Sequence, residues 1–316
     1  MIESANQTIR LIAAIILPPV AGTLVVYFGA VVLQEYGWVL FFAFPFVLGF
    51  TSTVIYSDGS EPYWQCLLVG FLSIAVIGVL IMLTAIEGLI CLAMSLPLAV
   101  PLIALGVLLA WSLRKEWRDS RIGVGLSALL FLMMPLLMGF EASTRSEPTV
   151  HEVVTTVEVD APIETVWRNV IEFPEIDGRP DGVLALGFAY PINAKIYGTG
   201  VGAIRHCNFN TGPFVEPITA WQEPNLLAFD VKEQPAPMTE LSIYEDLHAS
   251  HLSYIRSQRG QFRLYEKDGR TVVEGTTVYT HDIAPDIYWR LFSDEIIHRI
   301  HLRVLNHIKE VSERSS

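Results

Sequence analysis

The sequence has few charged residues and few cysteines for its length. Only 17% of its 316 residues are charged, against about 25% in a typical soluble protein, and 52% are hydrophobic. Three cysteines, Cys66, Cys91 and Cys207, are too few and too scattered for a disulfide framework or a zinc site. Basic residues are also scarce, with 21 against 33 acidic ones. The resulting net charge of −12 has the wrong sign for binding phosphates, which argues against nucleic acid as a partner.

The first 141 residues lack polar helical faces. Five long runs there carry no charged residue, whereas a buried helix of a soluble protein shows polar positions at helical spacing. Spanning a bilayer takes about 20 mostly apolar residues, because each backbone polar group must be satisfied within the helix. The pattern predicts a transmembrane domain over residues 1–141 and a polar linker at 142–149. The predicted spans are 11–33, 38–56, 67–86, 88–113 and 122–140.

The fourth run is long for one span, and Pro97 and Pro101 interrupt it. An alternative is that residues 85–97 form a re-entrant or interfacial segment before a shorter final span. Glu87 and Cys91 are four residues apart in that segment, so on a helix they form one polar face of the membrane domain. An ionisable residue at membrane depth indicates a functional role; the alternative is that Glu87 marks the end of the third span.

Basic residues indicate how the predicted spans are oriented. Four of them fall within the loop at 114–121, between the fourth and fifth spans. Because loops rich in Lys and Arg stay in the cytoplasm, we expect this loop and the N-terminus on the cytoplasmic side. Five spans then place the chain after residue 141 on the periplasmic or extracellular side. The expected location is the plasma membrane, which in a bacterium is the inner membrane.

Residues 150–316 have the pattern of a soluble domain. Alternation from His151 to Val159 predicts a strand, and Asp160 and Pro162 indicate the start of a helix. The segment DAPIETVWRNVIEFP resembles the opening of the START-like superfamily, which includes polyketide cyclase/dehydrase and lipid-transport domains. The resemblance covers about half the chain and implies an antiparallel sheet wrapped around a long C-terminal helix. The expected architecture is an α-helical transmembrane bundle followed by an α+β helix-grip domain.

The rest of the second half supplies the implied elements in order. Alternating segments separated by turn residues predict strands, and an amphipathic segment that Pro285 opens predicts the long helix. The irregular stretch 232–259 contains MTELSIYEDL, which favours an extra helix at 238–247. The predicted strands are 201–209, 215–222, 226–233, 261–266 and 271–281, and the predicted helix runs from 285 to about 311.

The resemblance also implies a cavity for a hydrophobic ligand between the sheet and the long helix. Apolar pockets with a few polar groups suit such ligands, although each aromatic candidate alternatively fills the core. Arg205 and His281 lie within strands, and His307 lies on the apolar stripe of the helix. The candidate cavity residues are Trp167, Arg205, Trp221, Phe229, Tyr254, Tyr265, Tyr279, His281, Tyr288, Phe292 and His307.

Signals for catalysis, metals and cofactors are weak. His248 and His251 form an HxxH pattern, but no HExxH-type motif is present. His298, His301 and His307 fall on the C-terminal helix, where surface positions are the expectation, with His307 the exception because it shares the apolar stripe. We therefore expect no metal and no cofactor, and the sequence identifies no catalytic residue.

Three functional hypotheses follow. The leading one is a membrane-anchored domain that binds, senses or transfers a hydrophobic, lipid-like ligand, with the bilayer and that ligand as partners. The second is a cyclase- or hydrolase-type enzyme, which needs a titratable pair such as His281 with His307 or with Arg205 in the cavity. The third is a structural or signalling module that pairs with another membrane protein or a second copy, through small residues and the Glu87–Cys91 face.

Overall fold

The computed structural model describes residues 2–116, 120–145, 147–244 and 255–315, and the chain divides into two compact units. The first unit comprises Met1–Glu147, Glu240–His251 and Ile283–Pro285, and the second comprises Pro148–Thr239, Leu252–Asp282 and Asp286–Ser316. Two short segments of the C-terminal half therefore group with the N-terminal helices. This division differs from the single boundary near residue 150 predicted from the sequence.

The first unit is helical. Among the described residues, five helices are long and apolar enough to cross a membrane, as the uncharged runs predict. The first of these spans continues from α1 into a stretch of wider, π-helical winding, Phe28–Leu33, and the second begins with another, Val39–Ala43, which leads into α2. The helices are α1 (Ile2–Tyr27), α2 (Phe44–Tyr56), α3 (Tyr63–Leu83), α4 (Leu89–Glu116) and α5 (Ser120–Ser143).

The fourth predicted span is a single helix in the structure, and not a short segment followed by a shorter span. α4 continues through Pro97 and Pro101 from Leu89 to Glu116, so residues 89–97 are not a separate short segment. Proline is tolerated inside membrane helices because neighbouring groups satisfy the backbone carbonyls that it frees. Glu87 and Gly88 precede the helix in a short loop.

Small residues allow the helices of the first unit to pack closely. A Cβ atom on Gly49 would lie 2.5 Å from the carbonyl oxygen of Ile103, and one on Gly106 would overlap the carbonyl oxygen of Phe46. α2 and α4 therefore approach each other at glycine, as small residues permit in membrane proteins. A hydrogen-bonded pair, Ser52 Oγ and Ser73 Oγ at 2.9 Å, joins α2 to α3.

The loops of this unit alternate between two ends. At one end Arg10 pairs with Asp58 at 3.0 Å, and Arg114 donates two hydrogen bonds to the carbonyl of Ser57. Arg114 is buried there in the last turn of α4, whereas the sequence predicts it in the loop at 114–121; residues 117–119 of that loop lie outside the described residues. At the other end, Tyr36 donates a hydrogen bond to Glu87.

The second unit is an antiparallel seven-stranded sheet with a long C-terminal helix, so the predicted helix-grip fold is confirmed. The strand order is β1-β7-β6-β5-β4-β3-β2. The sequence correctly predicts six of these strands and both helices of this unit but misses β2. The strands are Val150–Val159, Pro191–Tyr197, Ile204–Phe209, Gly212–Gln222, Leu226–Asp230, Ile255–Lys267 and Arg270–His281, and the helices are α6 (Ile163–Ile171) and α7 (Asp286–Arg314).

Helix α7 packs on the sheet with Val304, Leu305 and Ile308, all buried. Near the start of α7, Trp289 is buried, whereas Leu291 is 68% exposed. The sequence pattern places Leu291 on the apolar stripe of this helix, and the structure corrects that position. At the start of α6, Pro162 is the cap residue, and Asp160 does not cap the helix with its side chain.

The irregular stretch between β5 and β6 has no helix over its described residues, 232–244. The helix favoured at 238–247 is therefore wrong as far as residue 244, and residues 245–254 lie outside the described part of the chain. Residues 240–244 belong to the first unit, where Leu89 N–H donates to the carbonyl of Leu241 at 2.9 Å. Tyr244 donates its hydroxyl to the carbonyl of Leu83 at 2.7 Å. These tertiary hydrogen bonds hold the segment in an extended form.

Candidate functional site

A small cavity lies between the sheet of the second unit and α7. Its volume is about 100 Å³, below the roughly 300–1,000 Å³ of typical ligand sites. An apolar cavity of about 150 Å³ binds benzene, so the closed space matches a group of only a few non-hydrogen atoms. The sheet contributes four phenylalanines together with several polar residues, and α7 contributes mostly aliphatic residues. The lining includes Phe209, Phe214, Phe229 and Phe262 from the sheet and Ile297, Ile300, His301 and Val304 from α7.

Arg205 is the main polar group of this cavity. Its guanidinium is fully buried on β3, where it donates to the carbonyl of Ile171 at 3.1 Å and to the carboxylate of Glu216. Its Nη2 has no hydrogen-bond partner among the described residues. The guanidinium carbon lies 5.4 Å from the ring centre of Phe262 and 5.8 Å from that of Phe229. The wall of the cavity therefore contains a buried donor that lies among aromatic rings and has no described hydrogen-bond partner.

Burial controls the ionisation of the groups around Arg205. It raises the pKa of Glu216, an effect that the adjacent Arg205 opposes. It also raises the pKa of the Cys207 thiol, to about 12, with a further contribution from Glu216. Cys207 is therefore a neutral thiol at neutral pH, and not the thiolate that a cysteine nucleophile requires.

A second polar group at the cavity is a row of hydroxyl and imidazole side chains from β1, β7 and α7. Thr277 Oγ1 lies 2.7 Å from His301 Nε2, and His301 Nδ1 lies 3.1 Å from Thr155 Oγ1. Thr155 Oγ1 in turn lies 2.7 Å from His298 Nδ1. Burial, with a smaller contribution from His298, lowers the pKa of His301 to about 4. His301 is therefore a neutral histidine at the cavity, and the predicted surface position is wrong.

Of the predicted cavity residues, Arg205 and Phe229 line the cavity. The buried Trp167 instead packs edge-on against Trp221, with ring centres 5.7 Å apart. Tyr265 lies beside the guanidinium of Arg263. Tyr288 and Phe292 contact each other near the start of α7, and Tyr254 lies outside the described residues.

The titratable candidates occupy three separate places. His281 stacks on His151 with ring centres 5.1 Å apart, and the neighbouring Tyr279 donates its hydroxyl to Asp294 at 2.7 Å. His307 lies in a polar groove of about 530 Å³ that α7 forms with residues 174–181, and burial lowers its pKa. Neither His281 nor His307 lines the cavity of Arg205, so the pairs that the enzyme hypothesis needs do not meet there.

Several cavity residues escape the sequence analysis. Glu216 looks like a surface residue in a strand, but the pairing of β3 with β4 places it directly opposite Arg205. Cys207 and Phe209 follow Arg205 at spacings of two, so strand alternation gives the signal that places them on its face. Phe214, Phe262 and His301 have no such local signal, because their positions depend on strand pairing and on the docking of α7.

The predicted polar face of the first unit contains a third residue, which adds a second carboxyl group. The side-chain ligand atoms of Glu87, Cys91 and Glu240 all lie within 4.8 Å of one another. Glu240 Oε2 accepts a hydrogen bond from the backbone N–H of Ile90 at 3.1 Å. The sequence identifies Glu87 and Cys91 but misses Glu240, which is about 150 residues away in the chain.

Solved structures similar to the chain cover about half of it. A protein from Nitrosospira multiformis is 21% identical, with coverage of 51% of this chain and 96% of that protein and a TM-score of 0.33. The Zhui aromatase/cyclase from a Streptomyces species is 16% identical, with coverage of 52% and 95% and a TM-score of 0.32. The di-domain ARO/CYC BexL is 12% identical, with coverage of 61% and 59% and a TM-score of 0.33. No protein-family model and no curated protein matches the chain.

Proposed function

We propose that this protein is a membrane-anchored binding protein whose second unit holds a small hydrophobic group that carries one hydrogen-bond acceptor. The observation that carries the proposal is the cavity under α7, which combines four phenylalanines with Nη2 of Arg205, a donor that has no hydrogen-bond partner among the described residues. The five long apolar helices of the first unit support membrane anchoring. The proposed location is the plasma membrane.

The charge balance beside Arg205 favours a neutral ligand group. Arg205 and Glu216 already form a buried ion pair, so a carboxylate placed between them and the exposed Arg259 at the lining would compete with Glu216 for the one buried cation. A pure hydrocarbon would leave Nη2 without a partner, which costs about 1–3 kcal/mol for a buried donor. A carbonyl or ether oxygen satisfies Nη2 and adds no charge. Ketones, aldehydes and esters are therefore the favoured ligand class.

The volume of the cavity limits how much of a ligand it holds. A complete acyl chain does not fit in about 100 Å³. A lipid-like ligand would place only its oxygen-bearing end beside Arg205, unless α7 moves away from the sheet. Binding is proposed ahead of catalysis because Arg205, His281 and His307 lie at separate places.

The proposal is tested with two probes of the same shape, cyclopentanone and methylenecyclopentane, which differ only in the oxygen. Ligand-observed NMR on the full-length protein in lipid nanodiscs, with empty nanodiscs as the blank, measures both affinities. We expect the ketone to bind at least about tenfold more tightly, because it accepts a hydrogen bond from Arg205. Gly275→Ala, which places a methyl group on the cavity wall within 3.7 Å of Phe262, should weaken the binding of both probes.

The double variant Arg205→Met with Glu216→Gln removes the donor without leaving one buried charge unpaired. It should bind both probes with similar affinity. The matched control Arg263→Met, on strand β6 and outside the cavity lining among the described residues, should keep the preference for the ketone. Failure of the wild-type protein to bind either probe, or equal affinities for the two, would overturn the proposal.

A further inference from the structure

A cluster of two histidines and one aspartate lies at one edge of the second unit's sheet. His151 on β1 pairs with Tyr279 on β7, so His281, two residues further along β7, is its diagonal neighbour on the same face. Asp286 is the first residue of α7. Its Oδ1 lies 2.7 Å from His151 Nε2 and 3.4 Å from His281 Nε2. β1, β7 and α7 thus bring two imidazole nitrogens and one carboxylate oxygen close to one another.

The spacing of these atoms fits a metal ion. Zinc binds imidazole nitrogen and carboxylate oxygen at about 2.0–2.2 Å, so two ligand atoms of a tetrahedral site lie about 3.4 Å apart. The atoms of His281 and Asp286 already have this separation. The atoms of His151 and Asp286 would separate by roughly 0.7 Å more, as bonds to the ion replace their hydrogen bond.

His281 has no other explanation among the described contacts. Its side chain is completely buried, and neither ring nitrogen has a hydrogen-bond partner among the described residues. Buried polar groups are normally paired, and an unpaired one costs about 1–3 kcal/mol. His301, also in this unit, shows the ordinary case, because both of its ring nitrogens contact threonine hydroxyls. A bound ion would satisfy the Nε2 lone pair of His281.

The electrostatic surroundings favour a cation. The side chain of His281 is buried and its Nε2 lies near Asp286 Oδ1, so the imidazole is in position to act as a ligand. The carboxylates of Asp286, Asp294 and Asp282 all act on this ring. Arg290 offsets part of this charge through its ion pair with Asp294. Asp286 is 46% exposed in its side chain, which gives an ion a path from solvent.

From this arrangement we propose that His151, His281 and Asp286 bind one divalent transition-metal ion. Two imidazoles and one carboxylate suit zinc, iron(II) and cobalt(II), and not calcium or magnesium, which prefer oxygen ligands. Three protein ligands leave at least one position for water or a further ligand. A simple His151–Asp286 ion pair accounts for two of the three residues, but both ring nitrogens of His281 still lack a hydrogen bond among the described residues.

The test uses the full-length protein in detergent micelles, produced without a histidine tag and freed of metal by a chelator that is then removed. Titration with Co²⁺ is followed by visible absorption, and Zn²⁺ stoichiometry is measured by equilibrium dialysis with elemental analysis. We expect one ion per chain with nitrogen–oxygen coordination. His281→Gln, His151→Gln and Asp286→Asn should each raise the dissociation constant by at least about tenfold.

Two controls separate this site from other histidines. His206→Gln on β3 and the double variant His248→Gln with His251→Gln should keep the wild-type affinity. Asp286→Asn controls for misfolding, because it replaces the partly exposed side chain by one of the same shape. Without metal, the melting temperature of this variant should equal that of the wild type. The rise in melting temperature that Zn²⁺ causes in the wild type should be absent in the variant. Absence of stoichiometric binding, or unchanged affinity in the three ligand variants, would overturn the proposal.

Discussion

His301 shows how the fold changes the chemistry of a single residue. It lies on an amphipathic helix, yet its ring contacts Thr155 of β1 and Thr277 of β7 and lines the cavity. Burial holds its pKa at about 4, well below the ordinary value of 6.5. The folded protein therefore resists protonation of this ring, whereas the unfolded chain accepts a proton near pH 6.5.

This difference predicts acid sensitivity. The folded pKa is the lower one, so the stability due to neutral His301 is complete above pH 6.5 and is lost as the pH falls toward 4. The loss amounts to at most about 3 kcal/mol, because one pKa unit corresponds to about 1.4 kcal/mol. Thermal unfolding of the full-length protein at several pH values measures it.

The variant His301→Gln keeps a side chain that can bond to both threonines but cannot be protonated in this range. Its stability should fall less between pH 6.5 and 4 than that of the wild type. Identical pH profiles for the two proteins would contradict the assignment. The Arg205–Glu216 pair is present in both proteins and cancels in the comparison.

At the scale of residues, sequence reasoning identifies side chains whose surroundings depend on local periodicity. Arg205 is found because a charged residue in the middle of a strand is unusual. Glu216 is missed because its burial depends on the pairing of β3 with β4, which no local pattern shows. His301 is missed because the hydroxyl partners that allow a histidine inside come from β1 and β7.

Among the secondary-structure elements, α2 and α4 depend most on close approach. A Cβ on Gly106 would overlap backbone atoms of α2, including the amide nitrogen of Phe50 at 2.9 Å, and backbone atoms cannot move aside as a flexible side chain can. Gly78 on α3 has nothing within 4 Å of such an atom. The two glycines should therefore respond in opposite ways to the same substitution.

We predict that Gly106→Ala lowers the stability of the helical unit by about 1–3 kcal/mol through overpacking. Gly78→Ala should leave stability unchanged or raise it by up to about 1 kcal/mol, because alanine favours helix more than glycine does. Denaturant titration in detergent micelles, followed by circular dichroism, measures both. Equal effects at the two positions would show that the α2–α4 contact does not limit packing.

The same scale explains which elements the sequence predicts. Long uncharged runs and regular alternation identify five membrane-length helices and six strands, because burial of one face or of all faces imposes those patterns. β2 is missed because Pro191–Tyr197 has a broken burial pattern, with Lys195 exposed in its middle. It is the last strand in the sheet order, next to β3, at the edge of the sheet, where burial constrains the sequence least.

For the molecule as a whole, the arrangement of the first unit bears on membrane orientation. Arg10, Asp58 and Arg114 gather at one end of the bundle, and Tyr36, Glu87 and Glu141 at the other. With the basic end in the cytoplasm, an odd number of spans delivers the chain after α5 to the opposite side. That orientation remains our prediction.

The prediction is tested with an impermeant maleimide on bacterial spheroplasts. In a background without Cys66, Cys91 and Cys207, Ser315→Cys near the C-terminus should be labelled in intact spheroplasts. Ser60→Cys, in the exposed loop between α2 and α3, should be labelled only after lysis. Labelling of both after lysis is the control, and the reverse pattern in intact spheroplasts would invert the orientation.

The return of residues 240–244 to the first unit has a consequence for biosynthesis. α1 to α5 leave the ribosome before this segment is made, so the carboxylate of Glu240 reaches the Ile90 N–H only after the five helices exist. The loop at Glu87 and Gly88 therefore gains its contacts with residues 240–244 only after about 150 more residues have been made. Separate expression of residues 148–316 would produce residues 240–244 without the helices of the first unit that they contact. Both units are therefore complete only when residues 1–147 and 148–316 are made together.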